Sequence, residues 1–199
     1  MRLSSLVNRF ENMKKRILRS ALFVTLLVIT AFGVTVVPLQ GQTKSTVAEP
    51  SMKLQGLDGR IYDMSELRGS IVLVSFGATW CAPCSTELSA LEELSAEYQS
   101  RPIKFYWVSI ESPDQISNSA LKRYGKERRV SFPVLRDTAK MVFSQFSPRV
   151  RLPMIVLLGK DGRVDAPVQF GMRSPADAYK ADLRARLNKL LASQPDSDR

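Results

Sequence analysis

The sequence predicts an α/β sandwich built on a mixed sheet. Three observations predict it. Residues 71–76 (IVLVSF) form a short, nearly continuous apolar run, as expected of a central strand buried on both faces, and an amphipathic helical pattern follows. Residues 103–110 (IKFYWVSI) repeat the theme, with a polar helical stretch after them. The chain then closes with two extended segments around Lys160-Asp161-Gly162 and a last helical pattern.

The remaining elements follow in order. Residues 53–55 and 60–62 flank Gly56-Leu57-Asp58-Gly59, whose glycines and aspartate read as a turn between short strands. Pro113 and Asp114 open a polar helix running to about residue 128. Residues 133–135 read as a short extended piece and 138–146 as a short helix. Segments 154–158 and 163–170 form the hairpin around the Lys-Asp-Gly turn. Ser174 is the predicted cap of the last helix, with Pro175 at its first position and its end near residue 192.

Composition narrows the chemistry. The 199 residues carry a net charge of +10, two cysteines and no histidine. Without histidine, Ser-His-Asp and Cys-His catalysis, histidine-ligated metals and haem attachment through C-x-x-C-H are excluded. Two thiolates alone leave zinc two ligands short of a closed site, so no metal and no cofactor is expected. Half of the net positive charge lies in the first twenty residues, where Arg2, Arg9, Lys14, Lys15, Arg16 and Arg19 oppose only Glu11. That placement points to a membrane rather than to nucleic acid.

Residues 21–37 are uncharged and apolar all round. With residues 17 and 18 they are long enough to cross ~30 Å of hydrocarbon at ~1.5 Å per residue. The basic residues before them hold the N-terminus in the cytoplasm. The run is longer than the ~7–15 apolar residues of a cleaved signal, so an uncleaved anchor is expected. The predicted organisation is a basic cytoplasmic segment at 1–16, a signal-anchor at 17–40, a polar linker at 41–52, one domain at 53–192 and a short tail at 193–199.

Trp80-Cys81-Ala82-Pro83-Cys84 holds both cysteines, between the first apolar run and the helix. At this spacing two thiols close and reopen a small disulfide ring. A thiolate on Cys81 at the helix N-terminus gains from the macrodipole and the free N–H groups, which makes it the attacking sulfur. Cys84, one turn in, is the resolving sulfur. Pro83 falls in the first turn, where its missing N–H costs nothing. Trp80 covers the pair and offers a partner an apolar surface. On the helix, Leu91, Leu94 and Tyr98 fall within about 40° of Glu87, so Glu87 sits in the apolar stripe. Burial there raises a carboxyl pKa and suits the group to move protons.

Residues 72–84 (VLVSFGATWCAPC) resemble the active-site strand and turn of thioredoxin-fold proteins. The anchor, the opening LQGLDGRIYDMSELRG, the CAPCSTEL stretch and Leu152-Pro153 before MIVLLGKDGRV resemble, more narrowly, the membrane-anchored TlpA/ResA-type thiol-disulfide oxidoreductases. The resemblance covers roughly 53–190. It implies a thioredoxin fold, a redox-active Cys81–Cys84 pair and a cis-proline at Pro153. Pro153 and Leu152, with Trp80, Ala82 and Pro83, then help hold the substrate chain, and Glu87 tunes the cysteines. It also implies departures. Ser75 stands where thioredoxins carry a buried aspartate, so that proton relay is absent. Gly77 replaces a common tryptophan and opens the site, and Met154 stands where threonine is frequent.

These readings converge on a protein-disulfide reductase in a bacterial cytoplasmic membrane, its domain in the periplasm. Its expected partners are disulfide-bearing proteins, of the cytochrome c maturation or copper-centre assembly type, and a membrane thiol-electron donor. The competing readings are a peroxiredoxin-like peroxide reductase and a Cu(I)- or protein-binding module. The basic cluster Lys122, Arg123, Lys126, Arg128, Arg129 reads as a solvated helix face.

Overall fold

The structure, a computed structural model, describes residues 50–193. The basic segment, the signal-anchor, most of the linker and the tail after Ser193 lie outside the described residues. Among the described residues no helix is long and apolar enough to cross a membrane.

Seven strands make one mixed sheet: β1 (Lys53–Gly56), β2 (Ile61–Asp63), β3 (Ile71–Gly77), β4 (Ile103–Ser109), β5 (Val134–Arg136), β6 (Met154–Leu158) and β7 (Gln169–Phe170). Their order across the sheet is β2-β1-β5-β4-β3-β6-β7. The three helices are α1 (Ala82–Glu97), α2 (Asn118–Glu127) and α3 (Ala176–Ala192). β3, β4 and β5 run parallel, so α1 and α2 serve as their crossover connections. β6 returns antiparallel beside β3, placing Met154 opposite Phe76. This is the predicted sandwich, with the chain order that the thioredoxin resemblance implies.

β3 is buried along its whole length, as its unbroken apolar run requires. Its side chains alternate between two cores. Ile71 and Leu73 pack with Leu88, Leu91 and Leu94 of α1, Leu121 of α2 and Tyr179, Leu183 and Leu187 of α3. Val72, Val74 and Phe76 pack with Met52, Met64, Val108, Val142, Phe143 and both cysteines. Met52, predicted as linker, is buried, and its carbonyl accepts from the Met64 N–H at 2.9 Å.

Four elements differ from the sequence reading. α2 begins at Asn118, not Pro113, because Ser117 Oγ accepts from the Ala120 N–H at 3.2 Å and caps it there. The segment before it is held differently: Arg136 donates to the carbonyls of Glu111 and Ile116 at 2.6 and 3.0 Å. The helix expected at 138–146 is only a 3-10 turn at Phe143–Gln145. Lys140 there takes a left-handed φ of 54°, and the Asp137 carboxylate takes the Phe143 N–H at 2.8 Å. β7 is confined to Gln169–Phe170, with one bridge between Leu158 and Val164, because Pro167 has no N–H to offer a ladder. Pro175 is extended and stands before α3 as its cap position; no side chain caps this helix.

Leu91 is fully buried between sheet and helices. Leu91→Ala is expected to cost about 2–5 kcal/mol, from lost burial plus the cavity left behind. Urea unfolding followed by tryptophan fluorescence measures it; a cost below ~1 kcal/mol contradicts the packing described.

Candidate active site

β3 ends at Gly77, and residues 78–81 turn the chain from the sheet into α1. Two interactions set this turn. The Cys81 N–H reaches back to the Ala78 carbonyl at 3.2 Å. The Thr79 N–H and hydroxyl each donate to the Glu111 carboxylate at 2.7 Å. Glu111 is itself buried at the end of β4, takes a further hydrogen bond from Ser109 Oγ at 3.2 Å and has its carbonyl held by Arg136. A buried carboxylate thus clamps the residue that precedes Trp80.

Cys81 occupies the cap position of α1, with φ −87° and ψ 100°, and its Sγ accepts from the Cys84 N–H at 3.3 Å. Cys81 and Cys84 form a disulfide, with their Cα atoms 5.3 Å apart. Cys81 keeps 6% exposure and Cys84 none. Ala82 and Pro83 lie at the surface, and Trp80 beside them is 63% exposed. Cys81, at the helix start, is therefore the cysteine of the pair that keeps surface for a partner to touch. Its thiolate is favoured by the dipole of a 16-residue helix.

Glu87 lies one turn beyond Cys84 and is 1% exposed, on the inner helix face as the angular spacing predicts. One carboxylate oxygen accepts from Ser75 Oγ at 2.6 Å and the other from the Tyr179 hydroxyl. Burial pushes its pKa up to about 7, and the two hydroxyl donors oppose that rise. Burial, and then the adjacent Glu87 carboxylate, push the Tyr179 hydroxyl well above the usual tyrosine range, so Tyr179 stays a donor. As the resemblance implies, Ser75 brings no carboxylate of its own to β3, so an aspartate relay on that strand is absent. The strand supplies a hydroxyl, and the helix supplies the buried carboxyl over it.

The expectation that Gly77 opens the site is corrected. A Cβ at Gly77 would lie 2.6 Å from Trp107 Nε1, so the indole from β4 already fills that space. Trp107 stacks on Tyr124 at 5.6 Å between ring centres, and the Arg128 guanidinium lies 3.6 Å over Tyr124. Arg128 Nε also donates to Ser85 Oγ on α1 at 3.0 Å. This member of the basic cluster is thus built into the support of the active-site helix rather than solvated.

Pro153 follows a cis peptide from Leu152, is buried, and accepts from the Gly171 N–H at 2.8 Å. Leu152 is half-buried against the cluster that holds both cysteines. Trp80, Cys81, Cys84, Glu87, Leu152 and Pro153 therefore all gather at the carboxyl end of β3 and the start of β6. Among the described residues no three Cys, Asp or Glu side chains gather into a metal site. Tyr179, Glu111, Trp107 and Arg136 escaped the sequence reading. Tyr179 shares the helical stripe of Leu183 and Leu187, which marks it as core; nothing local marks its partner 92 positions away.

A model of the AhpC/TSA family matches residues 47–166. The thiol-disulfide oxidoreductase ResA of Geobacillus thermodenitrificans (strain NG80-2) is 28% identical over 145 residues, covering 71% of this chain and 80% of that one. ResA of Bacillus subtilis (strain 168) is 28% identical over 157 residues, covering 76% and 84%. The crystal structure of a thioredoxin-family thiol:disulfide interchange protein from Chlorobium tepidum TLS superposes with a TM-score of 0.60 at 24% identity, over 72% of this chain and 94% of that one. That likeness shows the fold.

Two outcomes follow from the Glu87 geometry. Its folded pKa, about 7, lies above the ordinary value of 4.5, so the folded state holds a proton that the unfolded state has released between them. Stability should therefore fall as pH rises from about 4.5 to about 7, by up to roughly 3 kcal/mol. Glu87→Gln removes that slope; denaturant unfolding at pH 5 and pH 8 measures it, and an equal slope in both proteins refutes the assignment. Tyr179→Phe removes a donor to the charged form and should move the Glu87 titration upward, read by NMR of the labelled carboxyl.

Proposed function

The chain belongs to the AhpC/TSA family, as a TlpA/ResA-type thioredoxin-like protein, and we propose that it reduces disulfides in extracytoplasmic protein substrates. It is a thiol-disulfide oxidoreductase. One observation carries the mechanism: the Cys81–Cys84 disulfide caps a helix, with Cys81 keeping some exposed surface and Cys84 none, and a buried carboxyl of raised pKa one turn on.

In the reduced protein the Cys81 thiolate attacks a sulfur of the substrate disulfide. A Cys81–substrate bond forms, the substrate S–S bond breaks, and its second sulfur leaves as a thiol after taking a proton. Cys84 then loses its proton to the Glu87 carboxylate and attacks Cys81 Sγ. The Cys81–Cys84 bond forms and the remaining substrate sulfur departs reduced. Two electrons have moved from protein to substrate. Trp80, Ala82 and Pro83 on one side, and Leu152 and Pro153 on the other, bracket the substrate chain.

A dithiol donor in the membrane then reduces Cys81–Cys84 for the next cycle. The apolar run at 21–37, with basic residues before it, supports an anchor that holds the domain on the outer side. The relatives named ResA support the class of chemistry. Apocytochrome c and copper-centre proteins are the substrate classes we favour, through the TlpA/ResA resemblance.

Cys84→Ser should trap a mixed disulfide on Cys81, whereas Cys81→Ser should trap none; mass spectrometry of trapped adducts decides. Adducts on Cys84 alone refute the assigned roles. The reduction potential should lie at about −250 mV or below; a value near −120 mV marks an oxidant and overturns the reductase reading. Peroxide consumed faster than disulfides overturns it as well.

A further inference from the structure

Three of the four large apolar side chains that stand exposed among the described residues lie beside Cys81 in sequence or on the stretch that leads into Pro153. They are Trp80 at 63%, Met141 at 71% and Val150 at 49% exposure. Met141 and Val150 belong to the stretch 138–153 that leads into Pro153. This stretch is fastened against the disulfide side of the fold. The Phe143 and Phe146 rings lie 5.7 and 6.2 Å from Phe76, and Phe146 and Leu152 pack on the cluster that holds both cysteines.

The charge of this stretch is one-sided. Residues 138–153 contain Lys140, Arg149 and Arg151 and no acidic residue. Arg149 and Arg151 are exposed and Lys140 half-exposed. Arg151 is held over the Phe170 ring at 4.3 Å, two residues before Pro153. None of the three has a carboxylate partner among the described residues. Elsewhere some surface cations are paired, Arg60 with Asp58, Arg173 with Asp182, Lys180 with Glu93, Arg184 with Glu97 and Arg186 with Asp165, while Arg101, Lys104, Lys122, Lys126, Arg129 and Lys189 have no carboxylate partner among the described residues; what marks residues 138–153 is three cations and no acidic residue. The buried carboxylates near the site, Glu111 and Asp137, are taken by the Thr79 and Phe143 backbone. With the exposed Met141 and Val150, the three uncompensated cations of residues 138–153 make a basic and apolar rim along the stretch that leads into Pro153.

We propose that this rim selects the substrate: the protein prefers disulfides whose cysteine is flanked by acidic residues, read by Arg149 and Arg151 with Lys140 at the edge. The inference rests on the oxidoreductase reading above. Charge pairs across an exposed rim act mainly on encounter and register, and they weaken as salt shortens the screening length.

The test uses two synthetic peptides, each with one cysteine in a mixed disulfide with 2-mercaptoethanol. Glu flanks the cysteine in one and Lys in the other. Reduction by the reduced full-length protein is followed by chromatography, with 2-hydroxyethyl disulfide as a neutral reference. The wild type should favour the Glu peptide in kcat/KM by about tenfold at low salt, and by much less at 1 M salt, where the screening length is ~3 Å. Arg149→Glu/Arg151→Glu should reverse the ratio, and Arg149→Lys/Arg151→Lys should keep it. Each ratio is internal to one variant, so a change in folded fraction cancels. Failure to reduce even the neutral disulfide refutes the oxidoreductase reading. Reduction of all three without a peptide preference refutes the selectivity alone. Loss of phosphatidylglycerol-vesicle binding in the charge-reversed variant, with no change in peptide ratio, assigns the rim to a lipid surface and overturns the proposal.

Discussion

A single buried carboxyl ties the structure to its chemistry. Glu87 leaves α1, lies over β3 and meets α3, so three elements converge on two oxygen atoms. Placing that group out of water is unfavourable, and only hydrogen bonds from Ser75 and Tyr179 offset the penalty. Among the described residues no cation offsets the burial, which leaves its pKa at about 7, where the group can both hold and take up a proton near neutral pH. The arrangement survives because the surrounding contacts are extensive. Leu88, Leu91 and Leu94 seal the same helix face, and each fully buried side chain contributes roughly 1.5–3 kcal/mol. Across the outer seam Tyr98 donates to Asn188 at 2.9 Å and Arg184 grips Glu97, holding α3 against α1. The exposed ion pairs in that seam add little singly; they keep Tyr179 in register.

The second constraint is the turn between β3 and α1. It must hold Cys81 at a helix start while leaving its sulfur reachable. Glu111 satisfies the Thr79 N–H and hydroxyl from one side, and Arg136 holds the Glu111 backbone from behind. Trp107 fills the space beside Gly77, and the Trp107–Tyr124–Arg128 stack carries that support through to Ser85 on α1. The disulfide thus sits on a rigid base, while Trp80 and the segment before Pro153 remain open to a partner. Rigidity beneath and exposure above suit a nucleophile that must be presented repeatedly in one geometry.

Much of this was legible from residue order alone. The strands at 71–76 and 103–110 and the helix after Cys84 appeared where their apolar patterns placed them, because periodicity and burial are both local. The helices expected from 113 and over 138–146 did not form as read. There, side chains from distant strands or loops captured the backbone: Arg136 took two carbonyls before α2, and Asp137 took an N–H that a helix would have used. Local propensity cannot register a competitor brought in by the fold.

The sequence by itself determined the reactive dithiol, its place at a helix start, the inward face of Glu87 and the one-sided charge of 138–153. Each follows from residue type and spacing within a few turns of chain. Only the tertiary structure decided that Ser75 and Tyr179 share the Glu87 carboxyl, that Glu111 clamps Thr79, and that Trp107 closes the space at Gly77. Those pairs lie 12, 92, 32 and 30 positions apart. They are joined by strand pairing and helix packing, whose register is set by the burial of whole faces rather than by any one residue.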